Sequence, residues 1–198
     1  MKICVGLLSN RGFEQQMTLS LLNMIYVTKK ELQDDIDFHF EVASEGYTIA
    51  ENRNSLAAKA CQNNCDYLLM IDDDMIFPED TLKRLLKHDK EIVGVNYHPR
   101  MLCTLYMVGL FGEEGRNTKE EDLPKELFKC RGVGFGVVLI KTKLFKKIKR
   151  PWFDWVVYET GMIKQGEDFY FCEKARDKGY DIWCDPTLKV GHIGRYIY

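Results

Sequence analysis

A chain of 198 residues, 45% hydrophobic and 29% charged, is long enough to bury a sizeable core in one globular unit. Its net charge of -2 excludes a surface dedicated to nucleic acid. Seven scattered cysteines with no CxxC pair exclude a zinc ribbon and a disulfide framework and point to a reducing compartment. The N-terminus is too short in apolar content for a signal peptide, and no stretch approaches the ~20 apolar residues of a membrane span, so a soluble cytoplasmic protein is expected.

In chain order, Lys2 to Leu8 reads as a strand, followed by Met17, Leu21, Met24 and Ile25 at the spacing of one helical face. Phe38 to Ala43 is a second strand. It leads through Ser44-Glu45-Gly46 into a helix with Ile49, Leu56, Ala57 and Ala60 on one side. Tyr67 to Ile71 is a third, without polar alternation, as in the interior of a parallel sheet. Pro78 is expected to open a helix with Leu82, Leu85 and Leu86 inward, and Glu91 to Tyr97 supplies the next strand. Up to Tyr97 the pattern is doubly wound α/β.

Beyond Tyr97 the order changes. Met101 to Phe111 and Phe135 to Ile140 read as strands separated by a polar stretch instead of a helix, which predicts a mixed sheet. The stretch itself, Glu113 to Glu126, is a candidate mobile loop. From Lys141 to Arg150, lysines and one arginine interleave with Leu144, Phe145 and Ile148, and two readings compete: a helix with a solvated basic face, or a peripheral contact with an anionic membrane or acceptor.

The chemistry is concentrated in two acidic clusters and one histidine. Asp72-Asp73-Asp74 follows the apolar run Tyr67-Leu68-Leu69-Met70-Ile71, and open α/β sheets place ligands just beyond the carboxyl ends of their strands. Three adjacent carboxylates repel one another, which a divalent cation bridging to phosphate relieves; the competing reading is an acidic approach to the next helix. The second cluster, in Gly166-Glu167-Asp168, begins a helical pattern that Gly179 ends. After a short strand at Asp181 to Cys184, Gly191-His192-Ile193-Gly194 places one histidine between glycines. Gly132-Val133-Gly134-Phe135-Gly136 precedes a strand, not a helix, so it is no dinucleotide fingerprint. Trp152, Trp155 and Tyr158 form either an aromatic acceptor platform or part of the core.

This order, Asp-x-Asp after an apolar strand, a Gly-rich strand, Glu-Asp at a helix start and a late histidine, resembles nucleotide-sugar glycosyltransferases of the GT-A fold, especially family 2. The resemblance implies one domain over residues 1–198, with a Rossmann-like nucleotide-binding half at 1–97, an acceptor-binding half at 98–198 and a mixed central sheet. It implies transfer from a nucleotide-diphosphate sugar, UDP-sugar above all, with Mn2+ or Mg2+ bound. By resemblance, Asp72 meets ribose, Asp74 the metal, and Asp73 leaves that assignment open by one residue. Arg53, in Glu51-Asn52-Arg53-Asn54, approaches the base or diphosphate; His192 is a further metal ligand; Gly134, Phe135, Glu167 and Trp155 line the acceptor or donor-sugar pocket. Asp168 is the general base of an inverting transfer. The alternatives are a retaining glycosyltransferase, a metal-dependent nucleotidyltransferase and a non-catalytic carbohydrate- or nucleotide-binding module.

Overall fold

A strand covered on both faces must divide its apolar side chains by parity, and β1 (Lys2–Leu8) does so. Ile3, Val5 and Leu7 enter one core, whereas Cys4 and Leu8 enter the other. The division repeats in β3 (Tyr67–Asp72), where Leu69 and Ile71 face one side and Leu68 and Met70 the opposite one. These elements belong to a computed structural model that describes residues 1–9, 12–32, 35–44, 46–100, 105–112 and 117–194.

Helices fill both sides. α1 (Gln15–Leu32) and α3 (Thr81–Lys87) contribute Met17, Met24, Leu82 and Leu85 to the first core. α2 (Ile49–Gln62) and α4 (Glu167–Asp177) contribute Leu56, Ala57, Ala60, Phe171, Cys172 and Ala175 to the second. α2 starts on a reciprocal cap in which the Thr48 hydroxyl accepts from Glu51 N and the Glu51 side chain accepts from Thr48 N.

The remaining strands are β2 (Asp37–Ala43), β4 (Ile92–Val95), β5 (Phe128–Cys130), β6 (Val137–Lys141) and β7 (Ile182–Asp185). The seven-stranded sheet runs in the order β2, β1, β3, β6, β4, β7, β5. β6 is antiparallel to both β3 and β4, and β5 to β7; the other pairs are parallel. The mixed sheet expected from the sequence is present.

Three expectations change. α3 begins at Thr81, not Pro78, because the Pro78 carbonyl accepts Thr81 N at 3.1 Å and closes a turn before it. The strand expected from Met101 is in part outside the described residues (101–104); the rest is two-residue pieces, Leu105–Tyr106 and Val108–Gly109, paired with Thr118–Lys119 and Gly132–Val133 and not with the main sheet. In the loop expected over 113–126, residues 113–116 are outside the description, the buried Thr118 hydroxyl donates to the Val108 carbonyl at 2.6 Å, and 119–126 are exposed apart from the half-buried Leu123. Lys141 to Arg150 is no α-helix: after β6 it makes a 3-10 turn at Thr142–Lys146. The Trp152 indole N–H takes the Phe145 and Ile148 carbonyls, at 3.0 and 2.9 Å, that a continuing helix would use. Leu144, Phe145 and Ile148 are buried in the core, which leaves the basic side chains on the solvent side of this segment. Trp152 is likewise core, while Tyr158 is exposed.

Candidate active site

The chain leaves β1 for β2 on one side and then crosses to β3 on the other, so the crevice between the carboxyl ends of β1 and β3 is a topological switch point. A cavity of about 630 Å³ opens there. Its wall includes Leu8 and Ser9 from the end of β1, Ile49 and Asn52 from α2, Asp72, Asp73 and Asp74, and Arg100, Ile193 and Gly194.

Strand parity decides what each aspartate meets. Asp72 follows Leu68 and Met70 onto the face that carries α2 and α4. There the Arg53 guanidinium donates from Nη2 to both Asp72 oxygens at 3.2 and 3.4 Å, and from Nε to Glu167 Oε1 at 3.1 Å. Arg53 Nη1 donates to the Phe135 carbonyl at 3.1 Å, and its guanidinium lies 5.5 Å from the Phe135 ring. Burial opposes the Arg53 charge, but Asp72, Glu167 and Asp168 outweigh it and hold the side chain protonated. Burial raises the Asp72 carboxyl above the usual carboxylate range while Arg53 pulls it back. The second Glu167 oxygen accepts the Trp155 indole N–H at 3.2 Å.

Arg53 is only 2% exposed and lies behind Asp72, not in the cavity wall. Phe135 is also fully buried and meets this network through its carbonyl and its ring, not as part of the cavity wall. Gly134 is a close approach: an added Cβ would meet the Tyr97 hydroxyl at 2.3 Å. Asp168, buried in the first turn of α4, accepts the Phe169 N–H at 2.7 Å and adds to the field on Arg53 and Tyr97.

Past the end of β3 the chain turns, and Asp73 gives its carbonyl to Glu14 N at 3.0 Å. Met75–Ile76 then pairs antiparallel with Gly191–His192, and Ile193 N donates to the Asp74 carbonyl at 2.9 Å. This ribbon brings His192 to Asp74 across 118 positions of sequence, with His192 Nε2 3.3 Å from Asp74 Oδ1. The Arg100 guanidinium touches Asp74 Oδ2. Both Asp74 oxygens are buried, and neither contact has hydrogen-bond geometry.

The tautomer of His192 follows from its neighbours. Nδ1 is 2.9 Å from the His98 carbonyl, which only accepts, so Nδ1 carries the proton and Nε2 presents its lone pair. Arg100 Nε donates to that lone pair at 3.0 Å. Burial and the Arg100 charge depress the His192 pKa, which keeps the ring neutral near pH 7. Its ring packs edge-on to Tyr97 at 5.5 Å between centroids, and the Tyr97 hydroxyl accepts Gly136 N at 3.0 Å. Among the described residues, no three His, Cys, Asp or Glu side chains form a metal-ligand group. The chain has two donors, the buried Asp74 carboxylate and the unprotonated His192 nitrogen, both contacted by Arg100; with Arg100 turned away, the set would suit a Mn2+ or Mg2+ ion completed by phosphate and water oxygens.

Arg100, Tyr97 and Asn52 were not singled out in the sequence as site residues. Tyr97 and Arg100 lie just beyond the carboxyl end of β4, the same positional signal that marked Asp72 to Asp74.

Open α/β sheets place ligands at such a switch point, and comparison with solved structures narrows the fold. The chain superposes on A197 from STIV with a TM-score of 0.63 at 19% identity, covering 98% of this chain and 87% of that one. It superposes on GalNAc-T7 with UDP, GalNAc and Mn2+ with a TM-score of 0.62 at 13% identity, covering 98% of this chain but 44% of that one. A Drosophila β1,4-galactosyltransferase 7 variant with manganese, UDP-Gal and xylobiose gives 0.56 at 16% identity, covering 98% and 72%. The fold is therefore GT-A, as the sequence resemblance implied. No protein-family model and no curated protein sequence matches the chain.

Proposed function

We propose that this protein is a metal-dependent glycosyltransferase that moves a sugar from a nucleotide-diphosphate donor, a UDP-sugar, to an acceptor hydroxyl with inversion. The observation that carries this reading is the corner at Asp74: two buried carboxylate oxygens without hydrogen bonds and a histidine lone pair converge at the edge of a cavity at the switch point. Asp74 and His192 are the residues that would hold the cation. When bound, a divalent cation binds the diphosphate oxygens and stabilises the leaving group's charge.

The chain's own residues do the rest. Asp72 is fixed by Arg53 and lines the cavity, which suits it to orient the ribose hydroxyls. Asp73 and Asn52 share that wall. Arg100 is a cation within reach of an incoming phosphate. Asp168 takes the proton from the acceptor hydroxyl, while Glu167, with one oxygen on Arg53 and the other on Trp155, positions the start of α4. Gly134 permits the backbone to approach Tyr97 closely at the floor of the acceptor side.

The inositol-1-phosphate CTP transferase of T. maritima, with a TM-score of 0.53 at 12% identity, favours a second reading, a nucleotidyltransferase. Incubation with a panel of nucleotide sugars and of nucleoside triphosphates, with manganese, separates the two. Release of a nucleoside diphosphate from a nucleotide sugar is the expected result; release of pyrophosphate from a triphosphate would replace this reading with the second.

A further inference from the structure

β2 is the outer strand on its side of the sheet and pairs with β1 alone. Asp37 N donates to the Met1 carbonyl at 2.9 Å, and the Ala43 carbonyl accepts Ser9 N at 3.2 Å. Successive residues of a strand turn their backbone groups to opposite sides. Residues 37, 39, 41 and 43 therefore face β1, and Phe38, Phe40 and Val42 turn their N–H and C=O groups outward. Among the described residues no hydrogen bond meets those outward groups. Natural edges are commonly blunted by proline, lysine or a bulge, and β2 has none of them: its register with β1 is unbroken from Asp37 to Ala43. Phe40 is 50% and Val42 45% exposed.

We propose that β2 pairs antiparallel with β2 of a second copy of this chain, about a two-fold axis at Phe40. The strand is complementary to its own reverse. With Phe40 opposite Phe40 of the second copy, Phe38 stands opposite Val42 and His39 opposite Glu41. The three outward-facing residues then occupy the hydrogen-bonded positions, each pair exchanging two N–H···O=C bonds. Phe38, Phe40 and Val42 share the α1 face, as Phe38 packing in that core shows, so aromatic and β-branched side chains meet across the axis. His39 and Glu41 lie on the other face in the closer, non-hydrogen-bonded positions. Glu41 already meets His39 at 2.8 Å and Lys59 at 2.9 Å within one chain, so the cross-axis pairs join an existing charge network. This self-complementarity favours a second copy over a foreign strand. A one-residue slip loses it, by setting groups bonded to β1 against the outward groups.

Antiparallel pairing points the carboxyl ends of the two β1 strands in opposite directions. The two cavities therefore open on opposite edges of the doubled sheet, each complete within one chain, and the proposal stands or falls independently of the transferase reading.

Sedimentation equilibrium of the full chain tests it. The wild type is expected at twice the 23.2 kDa chain mass. Phe40→Pro removes an outward N–H and leaves the bonds to β1, so it is expected to be a monomer with native circular dichroism. His39→Glu keeps the backbone and the apolar row but opposes two carboxylates across the axis; its dimer should dissociate about tenfold more readily, and adding Glu41→Lys should restore it. A wild type that stays monomeric, with or without another protein bound, overturns the proposal. So does a dimer that neither Phe40→Pro nor His39→Glu weakens.

Discussion

Asp72 and Asp74 are two residues apart and carry the same side chain, yet they have opposite surroundings. Asp72 ends β3 on the α2 and α4 face, where the buried Arg53 binds it, Glu167 and the Phe135 carbonyl in one network that Asp72 carries to the cavity wall. Asp74 lies past the strand end and is more deeply buried, with both oxygens short of hydrogen bonds and, among the described residues, Arg100 and His192 beside them. A buried carboxylate without hydrogen bonds is costly. The first region meets that cost within the fold; the second does not, and it is there that we propose a cation binds. An acidic run is thus not one site: the pleat of the strand divides it into a girder and a socket.

The largest expected effect comes from breaking the girder. Arg53→Met leaves Asp72 and Glu167 buried together without a cation, and chemical denaturation should show a loss of ~3–5 kcal/mol. In the socket the sign differs. Asp74→Asn removes a buried charge that, among the described residues, has no hydrogen bond and is paired only with the exposed Arg100, whose contribution solvent weakens, so its denaturation midpoint should equal or exceed that of the wild type. Between the two lies Asp168. Asp168→Asn should retain UDP binding by calorimetry but lower transfer by ~10²-fold, as loss of a positioned base does. A variant at normal rate would remove Asp168 from the mechanism. The smallest effect is expected from Trp155→Phe, which frees Glu167 Oε2: a loss of ~1 kcal/mol in denaturation, small beside that of Arg53→Met because the Arg53 bond remains.

Much of this arrangement was legible in the sequence, where its cause is local. Unbroken apolar runs marked β1 and β3 because both faces are covered, the spacing of Ile49, Leu56, Ala57 and Ala60 marked α2, and Gly179 placed the end of α4 to within two residues. Asp72, Asp74, Glu167 and His192 were recognisable because residues at strand and helix ends collect at one edge of an α/β sheet. What was not legible depends on pairings distant in the chain. Glu167 finds Arg53 across 114 positions only because β6 enters the sheet beside β3 and brings the C-terminal half over α2. The basic run after Lys141 has helix-like spacing, but the Trp152 indole, a residue beyond it, captures its carbonyls. Arg100 is marked only by its position past the carboxyl end of β4; its contact with Asp74 depends on tertiary packing.

Titration calorimetry of UDP into the wild type and into Asp74→Asn, each with Mn2+ and with chelator, tests the socket most directly. Manganese should tighten UDP binding to the wild type by ~10-fold or more and leave the Asp74→Asn affinity unchanged, while the melting temperature shows the Arg53 network intact in both. An equal manganese gain in Asp74→Asn, or no gain in the wild type, would contradict the assignment of Asp74 to the metal.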